Sequence, residues 1–384
     1  MSSTEQPGGV ATGRKPLHDL SRILVEPADI PKHLPRLRHE FGGLSRENGR
    51  YVVRGWAAHK EGRWTSADLY FNGKKIQTCE PHERADVTKN HTHIPNIEMP
   101  GFEFWLDEPS LGVENTERVD VVIHIGEKPV AWVWTPVRSD LLEQMPLPPP
   151  HLMKRVIGTD NPGHFLRFAL TCLGQYLQPA SRHRDLSTVK RMLDWGCGCG
   201  RVTAQYLRII NGPEVSGCDI DGEDIAWCKE NVTEGKFEHS SPYVPLPYET
   251  GSFDLVVSLS VLTHLTKEQQ FEWMREISRI LAPGGLFVAS VHGVPAADWR
   301  AERFLYDRLM KEGFYDDLPD NALAGIAPEG YYRNTYQNEA YTRKSFGKVF
   351  DVLEFIEAGV GIQDLVVARK RDRPKGLLGL LRGQ

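Results

Sequence analysis

Arg191-Met192-Leu193-Asp194-Trp195-Gly196-Cys197-Gly198-Cys199-Gly200-Arg201-Val202-Thr203 is the stretch on which the fold turns. Its apolar start reads as a strand. It meets an acid, crosses three glycines at alternate positions and enters a segment able to start a helix. Glycine, lacking Cβ, lets the backbone turn sharply and approach a ligand closely, while a helix N-terminus presents free N–H groups. Together they describe a strand–loop–helix floor for a nucleoside-type cofactor. A dinucleotide fingerprint, G-x-G-x-x-G, would require glycine at position 201, which is Arg201.

The segments that follow keep the same rhythm. Val215-Ser216-Gly217-Cys218-Asp219-Ile220-Asp221 is a short strand ending in acid, about twenty residues past the first glycine, where doubly wound nucleotide folds place a ribose-binding acid. Asp221-Gly222-Glu223-Asp224 puts negative charge where a helix start favours it. Phe253-Asp254-Leu255-Val256-Val257-Ser258-Leu259-Ser260 is a buried-strand pattern. After Val261-Leu262-Thr263-His264-Leu265, Thr266 and Gln269 form a capping box, and Phe271, Met274, Ile277 and Leu281 repeat at helical spacing. Pro283-Gly284-Gly285 stops that helix before the strand Leu286–Val291. Strand–helix alternation predicts a mostly parallel sheet covered by helices on both faces.

These elements resemble class I S-adenosylmethionine-dependent methyltransferases over roughly residues 151–370. The motifs carrying the resemblance are G-x-G-x-G at 196–200, the acid at Asp219, Leu246-Pro247-Tyr248, Ser252-Phe253-Asp254, Thr263-His264-Leu265, Pro283-Gly284-Gly285 and Gln363-Asp364-Leu365-Val366-Val367. The resemblance implies S-adenosyl-L-methionine as cofactor and a Rossmann-like, doubly wound α/β sheet with an antiparallel C-terminal strand. It places Asp194 on the amino or sulfonium side of the methionine moiety, with Gly196, Cys197, Gly198 and Gly200 forming the close-approach loop. Asp219 would bind the ribose, Ile220 pack on the adenine, and backbone near Leu259 meet the amino group. The chain departs from the family before Leu246. Ser240, Ser241 and Pro242 stand where an adenine-contacting acid is usual, so a serine hydroxyl or a backbone group takes that contact.

Composition bounds the rest. Among 384 residues, 40% are hydrophobic and 25% charged, enough for buried cores. A net charge of −5 makes no general case for nucleic acid as partner. No stretch is long and apolar enough to span a bilayer, and Met1-Ser2-Ser3-Thr4-Glu5-Gln6 lacks signal-peptide character, so a cytoplasmic protein is expected. Cys197 and Cys199 flank Gly198 as small residues in a tight loop; zinc sites prefer other spacings. His91 and His93 form an H-x-H without a third ligand, so no metal site is expected.

Five segments are expected. Residues 1–35 form a flexible N-terminal arm, 36–140 an all-β sandwich, 141–150 a stiff Pro-rich linker, 151–370 the cofactor domain and 371–384 a basic tail. Strands begin near residue 48 and run to 136 with no helix between them. Asn72-Gly73 closes a hairpin with a type I′ turn, and Gly126-Glu127 closes another. Trp56, Trp64, Trp105, Trp132 and Trp134 read mostly as core. Gly55-Trp56-Ala57, Asn72-Gly73, Arg84-Ala85-Asp86-Val87 and Gly101-Phe102 resemble small β-sandwich modules found beside bacterial glycosyltransferase and methyltransferase domains. That resemblance implies a saccharide acceptor. The basic tail is a loose arm able to make weak membrane-surface contact, although Pro374, Gly376 and Gly379 break the helix such contact uses.

For a hydroxyl acceptor a base must take the proton, and histidine is the usual choice. His264 lies just past the fourth strand, at the rim where sheet ligands bind, and His292 lies just past the fifth. Tyr331, Tyr332 and Tyr341 precede the last strand pair, where this family builds its acceptor pocket. Gly158-Thr159-Asp160, ahead of an amphipathic helix, is a candidate cover. Three functions fit: methylation of a saccharide or glycan precursor, methylation of a lipid or secondary metabolite, and glycan binding or assembly without catalysis. The sequence assigns no oligomeric state.

Overall fold

A computed structural model describes residues 37–59, 62–90, 92, 94–107, 118–136, 146–209, 213–300 and 302–371. The expected arm 1–35, His91, His93, linker positions 141–145 and tail residues 372–384 lie outside these residues.

The N-terminal part holds β1 (Leu37–Glu47), β2 (Arg50–His59), β3 (Ser66–Phe71), β4 (Lys74–Cys79), α1 (Ala85–Asn90), β5 (Gly101–Leu106), β6 (Arg118–Ile125) and β7 (Lys128–Pro136). They form two antiparallel sheets, ordered β1–β2–β5 and β4–β3–β6–β7. Val53, Ala57, Phe102 and Phe104 from the first share a core with Ala67, Leu69, Val121 and Ile123 from the second. Asn72 and Gly73 both have positive φ, +48° and +80°, as a type I′ turn demands. Two expectations fail. Strands begin at Leu37 rather than near residue 48, and a helix does intervene. Val87 of α1 joins Trp56, Ala58, Ile94 and Ile97 in a second cluster, so β2 is buried on both faces. Trp56 and Trp64 are core, whereas Trp105 is half-buried beneath the Arg50 and Arg54 guanidinium groups. The side chains of Trp132 and Trp134 lie outside the described residues.

The second part begins with α2 (Pro150–Ile157) and α3 (Pro162–His183), then β8 (Arg191–Trp195), α4 (Thr203–Ile209), β9 (Glu214–Asp219), α5 (Gly222–Asn231), β10 (Lys236–His239) and β11 (Phe253–Ser258). It continues through α6 (Lys267–Ile280), β12 (Leu281–Val291), α7 (Val294–Trp299), α8 (Arg303–Glu312), β13 (Phe314–Pro319), β14 (Arg333–Gln337), α9 (Glu339–Phe346), β15 (Phe350–Val360) and β16 (Gln363–Lys370). Seven strands form one sheet in the order β10–β9–β8–β11–β12–β16–β15. The first five are parallel; β16 runs antiparallel to both neighbours.

Strand alternation explains the layers. Met192, Leu255, Val257, Leu286 and Val288 face one core with Leu173, Tyr176 and Leu177 of α3. Leu193, Val256, Phe287 and Ala289 face the other with Trp273, Met274 and Ile277 of α6. Side chains alternate across a strand, so a sheet covered on both faces needs apolar residues at consecutive positions. Thr266 caps α6 in the expected box with Gln269. The helix ends at Ile280 and the strand already starts at Leu281, so Pro283-Gly284-Gly285 is an irregular strand entry rather than the stop.

Candidate active site

Strand order reverses between β8 and β11, and a cleft opens past the C-terminal ends of β8, β9 and β11. Ligands of open α/β sheets bind at such switch points. Asp194, Gly196, Cys197, Gly198, Asp219, Ile220 and Leu259 all line it, as does Ser240 at the position expected to meet adenine. The loop is tied to β9 three times. Gly196 and Cys197 amides donate to the Cys218 carbonyl at 2.8 and 3.1 Å, and the Gly198 amide donates to Asp219 Oδ2 at 2.8 Å. Gly196 has φ +80°, and a Cβ there would stand 2.1 Å from Val261 Cγ2.

Gly200 behaves differently. It does not line the cleft; its missing Cβ would meet Cys228 Sγ at 3.0 Å. The third glycine therefore lets α4 pack closely against the core below, rather than letting a ligand approach.

The carboxylates at the floor are strongly perturbed. Asp194 accepts from Thr203 Oγ1 at 2.6 Å; burial pushes its carboxyl up to about 6, against the Thr203 bond and the Arg201 charge. Asp219 is raised too, by burial first, although the Asp221 and Gly198 amides favour its charged form. Those bonds do not use every acceptor site on the carboxylate, which keeps capacity to accept from a ribose. Asp221 caps α5 as expected, accepting from the Glu223 and Asp224 amides.

The cover comes from α2, not from Gly158-Thr159-Asp160, which do not line the cleft. Arg155 Nη1 reaches Asp221 Oδ2 at 2.5 Å and Nη2 reaches Glu223 Oε2 at 3.0 Å. Val156 lies over Gly198, with Cγ2 at 2.9 Å from where a Cβ would sit. These ion pairs hold α2 to the start of α5, across the glycine loop.

His264 lines the cleft at the end of the 3₁₀ turn Leu262–His264. Its ring stacks on Tyr332, with centroids 4.0 Å apart and planes at 11°. Nδ1 lies 2.9 Å from the Arg333 carbonyl, which can only accept, so Nδ1 carries the proton and Nε2 keeps its lone pair. Burial pulls the imidazole down to about 4, against the Asp320 charge and the Arg333 bond, so it is neutral at pH 7. His292 stands apart. It does not line the cleft; its backbone bridges to Tyr336, its ring stacks on Tyr336 at 5.0 Å, and it sits 6.1 Å from His264. Tyr331 and Tyr332 line the cleft, while Tyr341 on α9 packs against Phe314 instead.

The sequence reading missed several lining residues. Arg155 and Val156 lie in a helix that begins at Pro150, inside the expected linker. Proline at the first helical turn was the available signal. Asp224 is raised to about 8, by burial and then by Asp221 and Asp219, and its Oδ1 has no partner. Ser260 holds φ +60°, uncommon for serine, braced by Ser290 Oγ at 2.8 Å and Gln363 Nε2 at 2.6 Å. Trp273 donates to the Tyr331 hydroxyl at 3.1 Å, and that hydroxyl donates to the Pro242 carbonyl. Leu323, Val261 and Leu265 complete an apolar, aromatic half around His264.

Residues 193–289 match the family model of a methyltransferase domain. With the glycine loop and the strand order, this match marks the α/β part as a class I S-adenosylmethionine-dependent methyltransferase domain. Similar curated proteins include the probable tRNA methyltransferase 9B of Mus musculus, 29% identical over 129 residues, or 31% of this chain and 27% of that protein. Methyltransferase GfsG of Streptomyces halstedii is 29% identical over 26% of this chain and 37% of its own length. The chain thus spans well under half of these relatives. Among solved structures, a putative S-adenosylmethionine-dependent methyltransferase from Listeria monocytogenes superposes with a TM-score of 0.40 at 18% identity, over 52% of this chain and all of that one.

Proposed function

We propose that the protein transfers a methyl group from S-adenosylmethionine to a hydroxyl of a small neutral acceptor, a saccharide or glycan precursor, in the cytoplasm. Bound S-adenosylmethionine would supply a sulfonium methyl, whose C–S electron pair stays with sulfur as the new C–O bond forms. Gly196, Gly198, Asp219, Ile220 and Ser240 would hold the adenosyl part. The observation that carries the reading is the convergence of the glycine loop, Asp219 and the His264 imidazole on one cleft.

His264 Nε2 would accept the hydroxyl proton as it leaves. Tyr331 and Tyr332 line the cleft beside His264, where the ring of an acceptor could pack. The two lining arginines, Arg155 and Arg201, come from α2 and the glycine loop. Around His264 the described lining residues include no lysine or arginine, which favours an uncharged acceptor. The saccharide assignment draws on the N-terminal motifs Gly55-Trp56-Ala57, Asn72-Gly73 and Gly101-Phe102, whose sequence resembles modules standing beside bacterial glycosyltransferase and methyltransferase domains. The apolar lining around His264 also favours a second reading, a lipid or secondary metabolite.

Incubation with labelled cofactor and fractionated cell extract tests the choice. Label in a carbohydrate fraction supports the first acceptor; label confined to lipid or small apolar fractions replaces it with the second. No transfer to any fraction, with cofactor bound, would leave the glycan-binding or assembly reading.

A further inference from the structure

Among the described residues, one carboxylate stands within 4 Å of the His264 ring. Asp320 directly follows β13 and opens the connection that brings Leu323, Tyr331 and Tyr332 to the cleft. Its Oδ2 lies 3.7 Å from His264 Nδ1, and the two side chains are only 19% and 14% exposed. That distance is beyond a hydrogen bond, and Nδ1 already donates to the Arg333 carbonyl. The carbonyl therefore sets the tautomer, and the carboxylate contributes charge alone. Asp320 is itself held in place. Its Oδ1 accepts from the Ala322 amide at 2.9 Å and its Oδ2 from Asn334 Nδ2 at 3.0 Å. The other titratable neighbours of the ring are Tyr332, stacked on it, and His292, 6.1 Å away. Burial keeps both neutral at pH 7, raising the phenol and pulling the second imidazole down to about 3. The guanidinium groups of this region are engaged elsewhere, Arg333 with Gly330 and Asp316, Arg300 with Glu302.

We propose that Asp320 is the counter-ion of a protonated His264, a positioning residue that acts on the transfer through the imidazole without touching the acceptor. The inference rests on the reading of His264 as the base. In the transfer an acceptor oxygen gives an electron pair to the methyl carbon, the C–S pair stays on sulfur, and the hydroxyl proton passes to His264 Nε2. The net charge of the site is unchanged, but the positive charge leaves sulfur and arrives on the imidazole. A buried imidazolium is costly without an anion nearby, and a partly buried pair at this distance is weakly screened. Burial makes His264 a weak base, and the Asp320 charge opposes that effect.

Two variants separate charge from placement. Asp320→Asn removes the charge, whereas Asn334→Ala removes one bond to Asp320 and keeps it. Proton NMR of the ligand-free full chain reads the base directly, with the His264 resonance identified by its loss in His264→Gln. Wild type should begin to protonate below about pH 5, since the folded imidazole titrates at about 4. Asp320→Asn should stay neutral throughout that range, and Asn334→Ala should titrate like wild type. Label transfer from S-adenosylmethionine to the extract fraction that the wild type labels gives the second readout. There Asp320→Asn should slow the rate at saturating fraction about 10- to 100-fold, with half-saturation changed less than about threefold. Asp320→Glu should regain part of that rate. Affinity for S-adenosylhomocysteine should be unchanged in Asp320→Asn, which also reports that the variant is folded. A His264 titration left in place by Asp320→Asn would overturn the proposal, as would a shifted titration with an unchanged rate. So would an equal loss of rate in Asn334→Ala, the mark of loop placement rather than charge. If His264→Gln kept full turnover, the reading of His264 as base would itself fail, and this proposal with it.

Discussion

The Gly198 amide and the Asp219 carboxylate are bonded at 2.8 Å, so the acid that would hold a ribose also holds the loop that would hold the rest of the cofactor. The second oxygen accepts from the Asp221 amide at 2.9 Å. Asp219→Ala would leave both amides without a partner. A loss of about 1–3 kcal/mol in a denaturant titration is expected, together with loss of S-adenosylhomocysteine binding. A variant as stable as wild type would show that the two bonds do not brace the loop.

Gly196 must be glycine for two reasons, its φ of +80° and the Val261 methyl 2.1 Å from a would-be Cβ. Gly126→Ala is the control, because Gly126 has φ +60° with nothing within 4 Å. That control should cost about 1–2 kcal/mol, the left-handed penalty alone. Gly196→Ala should cost more, and Val261→Ala in the same chain should recover only the difference. Equal costs for Gly196→Ala and Gly126→Ala would remove Val261 from the explanation.

His264 titrates near 4 in the folded protein against an ordinary 6.5. The neutral base therefore persists in acid, and kcat measured at saturating cofactor and acceptor should stay level from pH 8 to about 5. His264→Gln should slow turnover about 10²- to 10⁴-fold. The stability sign follows from proton binding. Between pH 6.5 and 4 the unfolded chain binds a proton that the folded chain refuses, so His264 makes stability fall as pH drops through that window. Pairing thermal melts of wild type and His264→Gln from pH 7 to 4 isolates that slope. An activity break at 6.5 would contradict the buried, neutral imidazole.

Asp194, raised to about 6 mainly by burial, should bind a ligand cation well only above that pH. Affinity for S-adenosylhomocysteine is expected to fall as pH drops below 6, and Asp194→Asn should bind more weakly with that dependence removed. Affinity independent of pH between 7 and 5 would place the ligand cation away from Asp194.

Much of this architecture is legible in the chain because it follows from local pattern. Runs of consecutive apolar residues mark the strands of the central sheet, Asp221 and Thr266 announce helix starts, and the glycine spacing with Asp219 marks the loop. What could not be read depends on contacts between distant segments. Arg155 becomes a cover residue only because α2 folds back onto Asp221, 66 positions later. Gly200 looks like its neighbours in sequence but faces Cys228, and His292 looks like His264 but is withdrawn by its bridge to Tyr336. Asp224 reads as a helix-start charge and Arg201 only as the break in the dinucleotide spacing; that both are buried depends on packing. The helix α1 carries only one core residue, Val87, too few to show a period.

Calorimetric titration of the full chain with S-adenosylhomocysteine, and separately with NAD, bears most directly on whether the 196–200 loop and Asp219 form an adenosyl-sulfonium site. Saturable binding of S-adenosylhomocysteine, abolished in Asp219→Ala, with no binding of NAD, is the expected result. Saturable binding of NAD with none of S-adenosylhomocysteine would contradict it.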